Sequence, residues 1–254
     1  MGKYKETAEV LSQEQIGDKI YSLWLGTKEI AREAKPGQFV SVYCKDGSRL
    51  LPRPISLCEI DQEGGRLRLV YRVAGTGTEE FSHLAAGDTV DILGPLGNGF
   101  PIKEGKALLV GGGIGVPPML ELARALPGET ALVMGYRDKT YLEEELSAAG
   151  TLFLATEDGS KGTKGTVLDA IRENHITADI LYACGPLPML RALKAYAEET
   201  GMEAWVSMEE KMACGIGACL ACVCQSTEMD EHSQVKNKRV CKEGPVFDIR
   251  EVEL

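Results

Sequence analysis

Five of the chain's eight cysteines fall between residues 214 and 241, and their spacing is the first feature that can do chemistry. Cys214-Gly-Ile-Gly-Ala-Cys219-Leu-Ala-Cys222 reads C-x4-C-x2-C, and Cys241 follows after a spacer of 18 residues. Three thiolates on one tight loop with a distant fourth is the plant-type arrangement for a [2Fe–2S] cluster. Gly215 and Gly217 let the backbone curl there and aim N–H groups at sulfur. The competing reading is a four-cysteine zinc site, which favours two well-separated C-x2–4-C pairs. Cys224 follows Cys222 too closely to join a loop already carrying three ligands. The candidate metal ligands are therefore Cys214, Cys219, Cys222 and Cys241, with Cys224 a bystander.

A second signal is Gly111-Gly-Gly-Ile-Gly-Val-Pro-Pro118, between a short apolar run and a helical pattern. Glycines at such a turn let the backbone approach a pyrophosphate, whose charge the following helix N-terminus favours. Pro118 stands where the third glycine of G-x-G-x-x-G would be, so the usual dinucleotide fingerprint is not met. Gly111, Gly113 and Gly115 are the candidate nucleotide-binding positions, against the plainer reading of a tight strand–helix turn. Ala183-Cys-Gly-Pro-Leu-Pro-Met189 opens a further helix at the C-terminal sheet edge, where open α/β sheets bind ligands. Gly185 belongs to that turn, and Cys184 reads either as facing a nicotinamide ring or as a small buried residue. Arg137 and Asp138 pull opposite ways on NAD versus NADP.

Nearer the N-terminus, Arg53-Pro-Ile-Ser56, Val70-Tyr-Arg72 and Gly75-Thr-Gly-Thr78 gather cations, hydroxyls and an aromatic ring. Arg53 and Arg72 suit a flavin diphosphate, Ser56 and Thr78 can donate hydrogen bonds, and Tyr71 offers a face for stacking. A solvated barrel surface is the alternative.

The elements that must position these residues divide the chain in three. Residues 1–102 read as short strands broken by Gly, Pro and Asp, including 35–43, 66–73 and 88–93, the pattern of an antiparallel barrel. Across 103–210, strand runs at 106–110, 131–136, 152–155, 180–183 and 205–208 alternate with helical patterns at 117–126, 141–149, 167–174 and 187–199. That alternation predicts a parallel, Rossmann-like sheet covered by helices. Residues 211–254 form the cysteine-rich region, with 228–239 expected as an exposed polar loop. The expected fold is thus multidomain: a β-barrel, an α/β sheet and a C-terminal [2Fe–2S] subdomain.

Composition narrows the partners. With 28 Lys+Arg against 38 Asp+Glu the net charge is −10, which argues against nucleic acid and against an anionic membrane surface. No run approaches the ~18 apolar residues of a membrane span. Residues 1–6 lack the apolar core of a signal peptide, and Glu6 stands where a myristoylation site wants Ser or Thr. The expected address is the cytoplasm, where clustered cysteines bind metal or do redox chemistry. Cys44 and Cys58 read as ordinary buried residues. His83, His175 and His232 sit in polar settings, so no catalytic residue is assigned.

Taken in chain order, R-P-x-S, G-x-G-T, G-G-G-x-G-x-P-P, C-G-P and the terminal cysteines resemble the ferredoxin–NAD(P) reductase superfamily. Leu93-Gly-Pro-Leu-Gly-Asn-Gly-Phe-Pro101, residues 207–219 and Cys241-Lys-Glu-Gly-Pro-Val-Phe247 narrow the likeness. They resemble electron-transfer subunits of the dihydroorotate dehydrogenase B type, over nearly the whole chain. The resemblance implies FAD in the barrel, NAD on the middle domain and a [2Fe–2S] cluster at the C-terminal region. It places FAD contacts on Arg53, Pro54, Ile55, Ser56, Val70, Tyr71, Arg72, Gly77 and Thr78. It also implies a catalytic partner that holds FMN and oxidises dihydroorotate in pyrimidine biosynthesis, the two subunits forming a heterotetramer. An NAD(P)H-dependent ferredoxin or sulfide reductase subunit is the nearest alternative. A non-catalytic iron–sulfur or zinc sensor is an alternative from another class.

Overall fold

The computed structural model describes residues 2–229 and 234–254, so His232 lies outside the described residues. Six strands, β1 (Tyr4–Gly17), β2 (Ile20–Gly26), β3 (Phe39–Val42), β4 (Arg53–Asp61), β5 (Arg66–Arg72) and β6 (Thr89–Leu96), close an antiparallel barrel in the order β1-β2-β5-β4-β3-β6. Leu67, Leu69 and Tyr71 alternate into its core, while Arg68 and Val70 point the other way and are buried as well. Two short helices, α1 (Glu29–Glu33) and α2 (Thr76–Phe81), fill the connections. Glu6 has a structural job, its carboxylate accepting the N–H groups of Lys28, Glu29 and Ile30 at 2.6, 2.8 and 3.0 Å.

The middle of the chain builds a parallel sheet from β7 (Ala107–Gly112), β8 (Thr130–Tyr136), β9 (Thr151–Thr156), β10 (Thr163–Lys164), β11 (Ile180–Cys184) and β12 (Glu203–Ser207). The helices α3 (Pro117–Ala125), α4 (Glu143–Ala149), α5 (Val167–Glu173) and α6 (Leu187–Thr200) connect them. Every residue of β7 is buried, as expected of a central strand covered on both faces. Strand order runs β10-β9-β8-β7-β11-β12, so its direction reverses between β7 and β11.

The barrel is locked to this sheet by charge as well as apolar packing. Glu59 of β4 accepts from Arg68 at 2.5 Å and from Arg124 of α3, and Arg68 reaches Glu145 of α4 at 3.3 Å and Ser22 at 2.8 Å. The Ile60 N–H donates to Glu121 of α3 at 2.9 Å, and burial raises that carboxyl above its ordinary range.

The C-terminal region departs from expectation twice. Residues 237–239, expected within an exposed loop, form β14 (Asn237–Arg239), antiparallel to β13 (Val223–Gln225). Asn-Lys-Arg has no apolar alternation to announce a strand, and the ladder to β13 alone defines it. Further on, β15 (Val246–Asp248) pairs antiparallel with β12, completing a seven-stranded sheet. Cys222, Cys224, Cys241 and Phe247 accordingly share one apolar core with Val110 and Ala183 of the sheet and Phe39 and Leu96 of the barrel. Among the described residues no helix is long and apolar enough to cross a membrane.

Candidate functional site

The glycine-rich turn lies at the reversal of strand order, where β7 and β11 pair Gly111 with Cys184. Connections leave such a switch point in opposite directions and open a crevice. Gly113 has φ +54° and room above it; an added Cβ would meet an Arg72 guanidinium nitrogen at 3.6 Å. Gly115 differs. A Cβ there would stand 2.2 Å from the Cys184 carbonyl oxygen and 2.7 Å from the Gly185 nitrogen, so this glycine lets two turns touch. The space above Gly111 is taken by Met134 and Val116. Tyr141 steadies the turn, its hydroxyl donating to the Gly113 carbonyl at 2.6 Å. Pro117 and Pro118 open α3 without N–H groups, which removes donors the helix N-terminus was expected to offer. At the end of β11, burial pushes the Cys184 thiol up to about 12, and its side chain hydrogen-bonds Ser207.

On the barrel, β3 aligns with β4 so that Val42, Ser41, Val40 and Phe39 oppose Arg53, Pro54, Ile55 and Ser56. Ile55 is buried in the barrel core, whereas Arg53, Pro54 and Ser56 are half-buried. The Arg53 guanidinium lies over Gly77, where a Cβ would stand 2.4 Å from Nε. Thr78 closes the start of α2, its hydroxyl accepting the N–H groups of Ala74 and Gly75 at 2.9 and 3.2 Å. The β4–β5 ladder runs from Leu57 and Leu69 to Asp61 and Arg66, so 53–56 and 70–72 both lie past its end. Those two segments and α2 form a cradle of cations, hydroxyls and main-chain groups that suits a flavin diphosphate.

The Tyr71 ring is a correction. It is 3% exposed, stacked on Tyr21 at 5.8 Å and edge-on to Phe81, with its hydroxyl donating to Gln13 at 2.9 Å. Its flat face is used inside the barrel and is not offered for stacking. Val70 is likewise buried, in the core beneath α3. Arg72 is exposed and reaches the Gly113 turn, joining the two halves of the crevice.

The cysteine loop rests on the barrel. Gly215 has φ +67°, and a Cβ on it would stand 2.8 Å from the Ser41 hydroxyl and 3.2 Å from Leu96. Ser41 is the register partner of Pro54, so the loop sits beside the 53–56 strand. Asn98 holds the other flank: its amide donates to the Glu243 and Val246 carbonyls at 3.0 and 2.8 Å and accepts the Val246 N–H at 3.0 Å. Segment 93–101 is thus the clamp that docks the C-terminal region. Sequence reasoning gave Ser41 and Asn98 no role, although the Asn-Gly within that segment was an available turn signal.

The candidate ligands form two pairs. Cys219 hydrogen-bonds Cys214, and the Cys222 sulfur accepts the Cys241 N–H at 3.4 Å. The N–H groups of Ile216 and Ala218 point at the Cys214 sulfur from 3.5 and 3.3 Å. Burial opposes ionisation of Cys214, but these bonds prevail and bring its thiol down to about 6. Among the described residues no three His, Cys, Asp or Glu side chains converge on a single-ion position. Four neighbouring thiols with aimed N–H donors and no single-ion convergence would suit a [2Fe–2S] cluster better than one zinc. The Cys224 thiol turns into the core and donates to the Lys238 carbonyl at 3.5 Å.

A closed barrel, a parallel sheet with a crevice at its switch point and a docked thiol loop define a flavoprotein oxidoreductase of the ferredoxin-reductase type. Residues 7–100 match the oxidoreductase FAD-binding domain, and residues 209–253 match the iron–sulfur cluster binding domain of dihydroorotate dehydrogenase B. A Bacillus cereus protein named dihydroorotate dehydrogenase B (NAD(+)), electron transfer subunit, is 45% identical over 260 residues, spanning 98% of this chain and 99% of that one. A solved NADH-dependent reduced ferredoxin–NADP oxidoreductase, studied for flavin-based electron bifurcation, superposes with TM-score 0.88 at 32% identity, covering 98% of this chain and 90% of that one. A cytochrome P450 reductase from Amycolatopsis gives TM-score 0.67 at 26% identity, covering 77% of this chain and 66% of that one. The chain belongs to the family of dihydroorotate dehydrogenase B (NAD(+)) electron transfer subunits. It is an oxidoreductase subunit for electron transfer, with FAD, a [2Fe–2S] cluster and NAD as its cofactors.

Proposed function

We propose that this chain relays electrons between NAD and the FMN of a dihydroorotate-oxidising catalytic subunit, in a cytoplasmic heterotetramer serving pyrimidine biosynthesis. The observation that carries this reading is the packing of Gly215 on Ser41 and Leu96, which brings the cysteine loop onto the barrel beside 53–56. When bound, FAD exchanges an electron pair with nicotinamide and single electrons with an iron–sulfur cluster. The chain supplies the placement. Arg53, Gly77 and Thr78, the strand 54–56 and segment 70–72 would hold the FAD. Gly111, Gly113, Gly115, Cys184 and Gly185 shape the NAD crevice, and Cys214, Cys219, Cys222 and Cys241 hold the cluster. The functional units are residues 1–102, 103–210 and 211–254, the last tied back into the sheet through β15.

The test is to purify the full chain with its cofactors and assay it alone and with the catalytic subunit of its own host. The chain alone should reduce artificial dyes with NADH and form no orotate. Adding the catalytic subunit should give NAD-linked dihydroorotate oxidation. Orotate formed by the chain alone would sink the relay reading. Ferredoxin reduction with no gain from the catalytic subunit would favour the ferredoxin-reductase reading, for which the full-length likeness at TM-score 0.88 is the supporting observation.

A further inference from the structure

Arg239 ends β14 two residues before Cys241, and among the described residues its guanidinium reaches both Glu243 and Gly217. Nε and Nη2 grip the Glu243 carboxylate, with Nε to Oε2 at 3.0 Å, and the Arg239 backbone N–H donates to the same oxygen at 2.8 Å. Nη1 donates to the Gly217 carbonyl at 3.0 Å. The Arg239 carbonyl accepts the N–H groups of Lys242 and Glu243 at 3.0 and 2.9 Å, so residues 239–243 form a closed turn around Cys241. A planar guanidinium held at three nitrogens has little freedom to swing.

The Gly217 carbonyl belongs to the same peptide unit as the Ala218 N–H, which donates to the Cys214 sulfur at 3.3 Å. A trans peptide is planar, so its C=O and N–H point in opposite directions and fixing one aims the other. Gly217 sits at φ +88°, where the backbone has no side chain to restrain it. A hydrogen bond accepted at the carbonyl also polarises the peptide and strengthens its donor end.

We propose that Arg239 is a positioning residue for the cluster: through the Gly217 carbonyl it aims and strengthens the Ala218 N–H bond to the Cys214 sulfur, and so raises the cluster's reduction potential. Hydrogen bonds to cluster and ligand sulfurs favour the more negative, reduced state and are among the features that set its potential. The inference rests on the cluster reading given above.

The test uses the full chain, as isolated with its cluster, carrying Arg239→Lys or Arg239→Gln. Iron and sulfide content are measured beside the midpoint potential, read by titration of the reduced cluster's paramagnetic signal. Lysine keeps the charge but cannot span Glu243 and Gly217 in one fixed plane, so a mere charge effect would spare it. Both variants should retain iron and sulfide, and at a fixed potential the reduced-to-oxidised ratio should fall about tenfold in each, a shift of about 59 mV for a one-electron couple. If Arg239→Gln loses the cluster, Arg239→Lys decides alone. A wild-type potential in Arg239→Lys overturns the proposal. Loss of the cluster from both variants also overturns it, because Arg239 is then a structural clamp. A wild-type chain that holds no iron overturns the cluster reading itself.

Discussion

Replacing Gly115 by alanine tests whether the crevice depends on contact between its two turns. The new Cβ would stand 2.2 Å from the Cys184 oxygen, 2.4 Å from its carbonyl carbon and 2.7 Å from the Gly185 nitrogen. All three are backbone atoms, so no rotamer change relieves the clash, and the turns must separate by about 1 Å to regain ordinary contact. Overpacking of this kind costs about 1–3 kcal/mol. At about 2–4 °C per kcal/mol for a chain of this size, the melting temperature should fall by roughly 2–12 °C. A shift of about 1 Å in a binding constellation can lower turnover efficiency about 100-fold, so NADH-dependent dye reduction should lose on that order in kcat/KM. FAD and iron content should stay at wild-type levels, because the atoms nearest the new Cβ belong to neither the 53–56 strand nor the cysteine loop. Gly113→Ala is the matched comparison: it has room for a methyl group and only its φ of +54° opposes it, so it should cost about 1 kcal/mol. Wild-type melting and wild-type NADH kinetics in Gly115→Ala would refute the reasoning.

Cys241→Ser should remove iron and labile sulfide while Cys224→Ser keeps both, measured by metal analysis and visible absorption; the reverse result would move the fourth ligand. Arg53→Ala should weaken FAD binding by about one to two decades, the worth of a charge-assisted contact at roughly 1.5–3 kcal/mol, with circular dichroism unchanged. Glu59→Ala leaves the buried Arg68 leaning on Glu145 and Ser22 and releases Arg124, so it should destabilise the barrel–sheet junction by about 1–3 kcal/mol in denaturant unfolding; a change within about 0.5 kcal/mol would show the junction to be apolar in origin. Stability should also decline in alkali. Unfolded thiols ionise near about 8.5, whereas burial holds Cys184 protonated up to about 12. Ionisation across that window therefore favours the unfolded chain. Cys184→Ala should flatten the fall of melting temperature above pH 8.5, and an unchanged slope would contradict the assignment.

The chemistry of the chain was legible where it depended on local spacing. C-x4-C-x2-C states a ligand loop by itself, and strand–helix alternation states a parallel sheet, because both are read within a few turns of chain. What escaped depended on contacts between distant segments. Gly113 and Gly115 look alike in sequence, and only the Cys184 backbone beside Gly115 separates an open glycine from a packing one. Tyr71 was given a stacking role, yet it shares the face of Leu67 and Leu69, which only closure of the barrel by distant strands buries. The Val-Phe-Asp of β15 is too short to rank as a strand until β12 is set beside it. Arg239 and Glu243, four residues apart, suggest a helical pair, yet they close a turn around a cysteine.

The pairing of β15 with β12 also puts the cysteine region inside a sheet instead of after it. Nascent chains fold from their N-terminus, so the barrel and the strands from β7 to β12 can assemble while Cys241 and β15 are still to be made. During that interval β12 is an open edge with unpaired backbone groups, and the thiol set lacks one member. Completion of the candidate thiol set and closure of the sheet thus fall to one stretch of chain, residues 241–248. A chain stalled before Cys241 bears both an incomplete candidate thiol set and an open sheet edge.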